Sequence, residues 1–274
     1  MGNLVLGEVK KQPYYKSKDF VLYLNDSIEL MKQLADNTID MVFADPPYNL
    51  SNDGFSVHAG KRVSVNKGDW DKSKGVLDDF EFHMNWLKEV HRILKPEGTV
   101  WVSGTYHSIY QCGYAIQKLG FKILNDISWY KPNASPNLSG RYFTASHETL
   151  IWARKDPKSK HTYNYQDMKN GNWHIKDKLK NEGKQMRSVW SITTPGRDEK
   201  TFGKHPTQKP INLLERIVLS STNPDAIILD PFSGSSTTGI AATKYKRKYI
   251  GIDLDSQFLD LSIKRYENMK GNLL

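Results

Sequence analysis

The chain has 274 residues, 38% of them hydrophobic, and a formal net charge of +9. That length can bury a substantial core as one large α/β domain, or as one domain carrying an insertion. No stretch approaches the roughly 18 apolar residues of a membrane span, the amino terminus lacks the apolar core of a secretory signal, and one cysteine, Cys112, excludes a disulfide framework or a cysteine-rich zinc site. A cytoplasmic protein without a metal site is expected, and the positive charge asks for an anionic partner, nucleic acid foremost.

Residues 1 to about 18 are polar and basic and read as an arm or a short edge segment. Phe20 to Leu24 reads as a strand, and Asn25-Asp26-Ser27 can cap a helix from Ile28 to about Asp36. The apolar run Ile39 to Ala44 reads as a buried strand. Two prolines follow directly in Asp45-Pro46-Pro47-Tyr48, and since they cannot donate to a ladder the strand must stop there. A carboxylate, a free proline carbonyl and an aromatic ring thus stand at a strand's carboxyl end, where open α/β sheets bind ligands. Asp45 and the Pro46 carbonyl suit the two hydrogens of an exocyclic amine, and Tyr48 suits stacking on its ring; alone, the same four residues are more often a strand-ending turn with a surface tyrosine.

From Asn49 to Asp79 the periodicity dissolves among glycines, serines and basic residues that include Lys61 and Arg62. A loop of this length is functional or disordered, and a flap beside Asp45 is expected. Phe80, Met84, Leu87, Val90 and Leu94 recur at helical spacing until Lys95-Pro96-Glu97-Gly98 stops them. Thr99 to Ser103 is a strand, His107 to Leu119 a helix holding Cys112 as a small core thiol, and Phe121 to Tyr130 a strand. A loop with Pro132, Pro136 and Arg141 then leads to the strand Glu148 to Ala153. Strands alternating with helices predict crossover units in a largely parallel sheet, with antiparallel strands near 121–154.

Residues 155–204 break the rhythm with twelve Lys/Arg against six Asp/Glu, and so carry +6 of the net +9. Tyr163, Tyr165, Trp173 and Trp190 are interspersed. A solvated insertion and a nucleic-acid face, with basic groups on phosphates and aromatics on bases, both fit this composition. The regular pattern resumes at His205-Pro206-Thr207-Gln208-Lys209-Pro210, where Pro210 opens a helix with Leu213, Leu214, Ile217 and Val218 on its apolar face.

Ala226 to Leu229 is a buried strand running into Asp230-Pro231-Phe232-Ser233-Gly234-Ser235-Ser236-Thr237-Thr238. A helix to about Tyr245, a strand Tyr249 to Ile252 ending at Asp253, and a helix over about 255–268 complete the chain. Strand, small-residue loop, helix, strand and acid form a nucleotide-binding βαβ order, with Asp253 for ribose hydroxyls and Gly234 with the 235–236 backbone against the ligand. Glycine stands once, among serines and threonines, which suits a carboxylate better than a pyrophosphate. The reading is a nucleoside joined to an amino acid, S-adenosylmethionine, although Ser235, Thr237 and Thr238 serve equally as helix caps.

With Asp45 to Tyr48, His205 to Pro210 and Asp230 to Thr238 in that order, the chain resembles the β-class amino-methyltransferases of DNA. Trp129-Tyr130-Lys131-Pro132-Asn133, His147-Glu148 and Gly251-Ile252-Asp253 extend the likeness over nearly everything outside about 1–18 and 155–200. The subgroup it resembles is the second adenine methyltransferase of GATC-type restriction–modification systems. The resemblance implies a Rossmann-like, S-adenosylmethionine-dependent methyltransferase fold with a mostly parallel sheet. Its catalytic half would span 19–154, an inserted target-recognition segment 155–204, and the cofactor-binding half 205–274. It implies methylation of adenine N6 in a flipped-out base, with catalysis by Asp45, Pro46 and Tyr48. It further implies cofactor contacts from Asp26, Phe232, Gly234, Ser235, Thr237 and Asp253, with Lys209 near the methionine end. Lys61, Arg62, Arg141, Lys176, Lys178 and Lys180 are the expected contacts to DNA, double-stranded with single strands also open, and a homodimer is expected by analogy. Cytosine-N4 methylation, which in this family usually replaces the leading Asp by Ser, and a homologue without catalysis are the alternatives. One departure stands out: glycine is common where this chain has Ser236, so tighter approach of the backbone to the cofactor, with weaker affinity, is expected there.

Overall fold

The computed structural model describes residues 9–47, 75–137 and 139–271, and the backbone of 55–58 and 61–64. Tyr48 lies outside the described residues, as do the side chains of Lys61 and Arg62.

Eleven strands and seven α-helices are described. In chain order they are β1 (Tyr15–Lys16), β2 (Phe20–Leu24), α1 (Ser27–Met31), β3 (Ile39–Ala44), β4 (Phe55–His58), β5 (Lys61–Ser64), α2 (Val76–Ile93), β6 (Leu94–Gly104) and α3 (Ile109–Lys118). There follow β7 (Lys122–Tyr130), β8 (His147–Arg154), α4 (Tyr165–Asn170), β9 (Val189–Ser191), α5 (Ile211–Ser221), β10 (Ile227–Asp230), α6 (Thr237–Lys244), β11 (Lys248–Asp253) and α7 (Ser256–Gly271). Nine strands form one sheet in the order β1-β2-β11-β10-β3-β6-β8-β7-β9, and β4 and β5 make a separate antiparallel hairpin. The central run β2-β11-β10-β3-β6 is parallel, and β8 runs antiparallel to both β6 and β7.

Period-two alternation sends each central strand's side chains to two separate cores. Val42 and Ala44 of β3 join Val21, Tyr23, Trp86, Val90 and Ile116 on the face covered by α1, α2 and α3. Met41 and Phe43 join Phe20, Leu22, Leu213, Ile217, Ala241 and Tyr266 under α5, α6 and α7. The result is a helix–sheet–helix sandwich, the expected α/β class. Cys112 is buried in the first core, where burial pushes its thiol pKa far up, so the small-core-thiol reading holds.

Three local expectations are corrected. The first helix ends at Met31, because Gln33 and Leu34 donate to carbonyls three residues back and Asn37 takes a left-handed backbone (φ 56). The second helix begins at Val76 and so claims residues expected in the flap. The helix does stop before Lys95-Pro96-Glu97-Gly98, but β6 begins at Leu94 and not at Thr99: Ile39 faces Leu94, Met41 already faces Thr99, and the four residues bulge between them.

The insertion is tied to the main sheet more closely than a charge run suggests. Trp190 in β9 is 3% exposed, and β9 pairs in parallel with β7. Asp177 and Arg216 form a buried ion pair at 2.7 Å, with the guanidinium over the rings of Trp173 and Trp190. Its opening residues run along the amino-terminal edge of the strands. Lys155 donates to the Leu94 carbonyl and to Asn37, and the Asn164 amide reaches the Leu219 and Thr222 carbonyls at the end of α5.

Candidate active site

Four neighbouring parallel strands each end in, or just before, an acid. Asp26 follows β2, Asp253 ends β11, Asp230 ends β10 and Asp45 follows β3. The parallel register holds these ends side by side: Leu229 faces Val42, and Asp230 faces Gly251. They border one cavity of about 700 Å³ at the carboxyl edge of the sheet, the place where α/β sheets take ligands. Its described lining carries eight carboxylates (Asp26, Asp45, Asp78, Asp79, Glu81, Asp230, Asp253 and Asp255) and a single lysine, Lys209. A chain of net charge +9 therefore encloses a strongly acidic hollow.

Asp45 is ion-paired with Lys209, which sits 6% exposed. Burial works against the ammonium, but the Asp45 and Glu148 carboxylates outweigh it and hold Lys209 above the ordinary lysine value. Glu148 lies 3.6 Å from Lys209 and 2.5 Å from the Lys131 ammonium, and it accepts from the Ser103 hydroxyl at 3.3 Å. Asp45, Lys209, Glu148 and Lys131 thus form a chain of alternating charge from the cavity to the stem of the loop after β7. Lys209 thus pairs with the acid after β3 while lining the same cavity. Glu148, Lys131 and Ser103 join it only because β8 returns antiparallel beside β6.

The expected cofactor residues converge on the same cavity. Asp26 caps α1 by accepting from the Glu29 N–H at 2.9 Å and also lines the hollow. Asp253 accepts from the Gly234 N–H at 2.7 Å and the Asp255 N–H at 2.9 Å. Burial raises its pKa, against the pull of those two bonds. Gly234 has φ +48, and a Cβ there would meet the His205 ring at 2.9 Å, so the glycine is required twice over. Phe232 is set edge-on to Trp86 and against Phe82 of α2. Pro46, Ser235 and Thr237 also line the cavity, and Arg265 of α7 donates to the Ser235 carbonyl and, at 2.9 Å, to the Thr237 hydroxyl. Sequence reasoning missed Arg265, His205 and the acids of α2; the period of α7 marks Arg265 only as a helix position.

Ser236 does not meet the expectation placed on it. It is fully buried behind the cavity lining, and its backbone is left-handed (φ 51, ψ 39). Glycine is favoured at such a site for its freedom at positive φ, not for access to a ligand. Ser236→Gly is expected to raise stability by about 1 kcal/mol, read as a higher urea midpoint, with no change in ligand affinity.

Asp230 was legible only as part of a motif. Burial pushes its carboxyl up to about 7, against hydrogen bonds from the Thr238 hydroxyl (2.7 Å) and the Phe232 N–H (3.1 Å), and the Asp45 and Asp253 charges push the same way as burial. The unfolded chain titrates this group near 3.8, so between the two values the folded protein binds the proton more tightly. Its stabilising contribution is complete below about pH 4 and is lost as pH rises towards 7. Asp230→Asn should flatten that fall in urea midpoints measured from pH 4.5 to 7.5; an equally steep fall would assign the slope to another group.

The expected DNA contacts divide. Arg141, Lys176 and Lys178 are exposed, Lys176 reaching Asn212 at 2.9 Å in the first turn of α5. Lys180 is corrected: it is 5% exposed and donates to the Lys169 and Asn181 carbonyls, so its charge braces the insertion. Among the described residues no group of His, Cys, Asp and Glu could hold a metal, and no helix is long and apolar enough to cross a membrane.

Comparison with known proteins agrees with this geometry. The family described as DNA methylase (N6_N4_Mtase) matches residues 39–264. The type II methyltransferase M2.LlaDCHI of Lactococcus lactis subsp. cremoris is 48% identical over 94% of this chain and 93% of its own length. M2.DpnII of Streptococcus pneumoniae is 47% identical over 95% and 94%. Among solved structures, the M1.HpyAVI–SAM complex superposes with TM-score 0.65 at 27% identity, covering 90% of this chain and 98% of that one. The cytosine-N4-specific PvuII DNA methyltransferase superposes with TM-score 0.72 at 20% identity over 95% and 93%, a likeness of fold. With its family motifs ending three adjacent parallel strands around one acidic hollow, the chain belongs to the N6_N4_Mtase family of DNA methylases.

Proposed function

We propose that the chain transfers a methyl group from S-adenosylmethionine to N6 of an adenine turned out of DNA, as the modification enzyme of a GATC-type restriction–modification system. The observation that carries this is the contrast between a basic chain and its acidic cavity. An anionic polymer suits the outside, while the hollow suits a small ligand bearing positive charge, and a pyrophosphate would be repelled there. The M1.HpyAVI structure with SAM bound is the corresponding precedent in a relative.

The residues fit that cofactor. Asp253 and Asp26 offer carboxylates to ribose hydroxyls and to an adenine amine, and Phe232 offers an aromatic face. Gly234 lets the backbone come close, and the Ser235–Thr237 turn can receive the amino-acid end. Bound there, S-adenosylmethionine supplies a methyl group on a positively charged sulfur. The adenine amine is a poor nucleophile because its lone pair is delocalised into the ring, and its hydrogens lie in a base pair until the base is extruded. Asp45 and the Pro46 carbonyl accept the two N6 hydrogens and localise the lone pair, and Asp45 takes the proton released. Lys209, held by Glu148, anchors the Asp45 carboxylate by an ion pair. Tyr48 is proposed to stack on the flipped ring.

Arg141, Lys176, Lys178 and, in the hairpin region, Lys61 and Arg62 are proposed as phosphate contacts. Residues 19–154 and 205–274 act in this reading as catalytic and cofactor-binding halves, and the later part of 155–204 as target recognition. A homodimer stays within the proposal, supported by Tyr110 and Tyr114, 76% and 59% exposed one turn apart on α3, and sedimentation at two concentrations tests it.

The decisive experiment incubates the protein with labelled S-adenosylmethionine and plasmid DNA, digests the DNA to nucleosides and maps the modified sites. N6-methyladenine at GATC supports the reading. N4-methylcytosine would replace it with the alternative, and absence of label would leave a binding protein.

A further inference from the structure

The loop between β7 and β8 carries a feature that methyl transfer itself does not use. Phe143 is 98% exposed and Tyr142 beside it 69%, with the exposed Arg141 preceding them. Single exposed apolar residues are ordinary, but this pair belongs to a turn held by hydrogen bonds on either side of Phe143. The Asn137 amide donates to the Tyr142 carbonyl at 2.6 Å, and its oxygen accepts from the Ser139 N–H and hydroxyl at 2.9 and 2.8 Å. The Asn137 N–H donates to the Thr144 hydroxyl at 3.2 Å, and Gly140 turns the chain at φ +63.

The stem is fixed as well. The Lys131 N–H donates to the Ser146 carbonyl at 2.7 Å, and Asn133 exchanges hydrogen bonds of 3.0 and 3.1 Å with Thr194 in the insertion. Lys131 is also the outer end of the charge chain that reaches Asp45. The turn therefore rises from the carboxyl edge of the sheet, the edge that also bears the cavity.

We propose that Phe143 is a wedge that enters the DNA stack and fills the place left by the extruded adenine, with Arg141 on the adjacent phosphate. This rests on the methyltransferase reading above and adds to it how the base is kept out. Extrusion leaves a gap one base thick and an unstacked partner base. An aromatic ring on a braced turn restores stacking there without reading sequence. The ring occupies no pocket of its own chain, and a base-sized gap is the partner its shape and chemistry fit.

The wedge is needed only where adenine begins stacked and paired. Initial rates of methylation are compared for wild type, Phe143→Ala and Phe143→Trp on a GATC duplex, the same duplex with an abasic site opposite the target, and the single strand. Phe143→Ala should lose at least about tenfold in kcat/KM on the paired duplex. It should stay within about twofold of wild type on the single strand, where there is no stack to refill. With 2-aminopurine at the target position the duplex fluorescence rise should shrink, and Phe143→Trp should recover it. Equal losses on duplex and single strand, or none on the duplex, would overturn the wedge while leaving the methyltransferase reading intact. A wild type that labels neither substrate would remove both.

Discussion

Asp45→Ala is expected to abolish N6-methyladenine formation, lowering kcat by about 100-fold or more, while the protein still binds DNA and S-adenosylmethionine. General acid–base groups contribute about 10²–10⁴-fold, and in the proposed mechanism Asp45 is in addition the acceptor that localises the amine lone pair. The replacement also leaves the buried Lys209 ammonium with Glu148 as its remaining acid among the described ion pairs. Lys209→Met should therefore cost activity in the same direction, yet less, because Asp45 keeps its place after β3. Single-turnover methylation with saturating cofactor separates the chemistry from binding. Unchanged single-turnover rates in Asp45→Ala would move the catalytic acid elsewhere on the cavity wall.

Gly234→Val should weaken S-adenosylmethionine binding by tenfold or more, measured by titration calorimetry. The left-handed backbone (φ +48) alone costs a residue with a Cβ ~1–2 kcal/mol, more when it is branched. The added atoms also meet the His205 ring, which is packed edge-on to Phe258 at 4.2 Å and cannot simply withdraw. The pressure falls on the Gly234–Asp253 hydrogen bond, which joins the loop to the acid expected to hold ribose. Thermal melting of the ligand-free variant guards against plain unfolding, and wild-type affinity in a folded Gly234→Val protein would mean that the loop does not touch the cofactor.

The sequence announces this cavity where the chemistry of strand ends is local. Asp45-Pro46 and Asp230-Pro231 each place an acid before a residue that cannot continue a ladder, so the strand, its end and the acid are written in one short contiguous stretch. Asp253 is legible for a similar reason, as the acid that closes a βαβ unit. What is not legible depends on how distant segments return. Glu148 reaches Lys209 only through the antiparallel course of β8, and no spacing in the chain encodes that pairing. Lys180 looks like its neighbours Lys176 and Lys178 in sequence, and only the fold turns its ammonium inward to carbonyls. Ser236 was misjudged because a glycine preference has two physical causes, ligand approach and positive φ, and only the backbone angles distinguish them.

The strand order has a consequence for how the molecule is made. β10 and β11 lie between β2 and β3, so the first two long strands synthesised have no lateral contact with one another. They wait for about two hundred further residues to leave the ribosome before the two strands that separate and join them exist. Pairings across such separations close slowly, and until they close the nascent chain presents bare ladder edges at the strands that will hold its reactive acid. A chaperone that shields those edges during translation would raise the yield of active enzyme far more than its final stability.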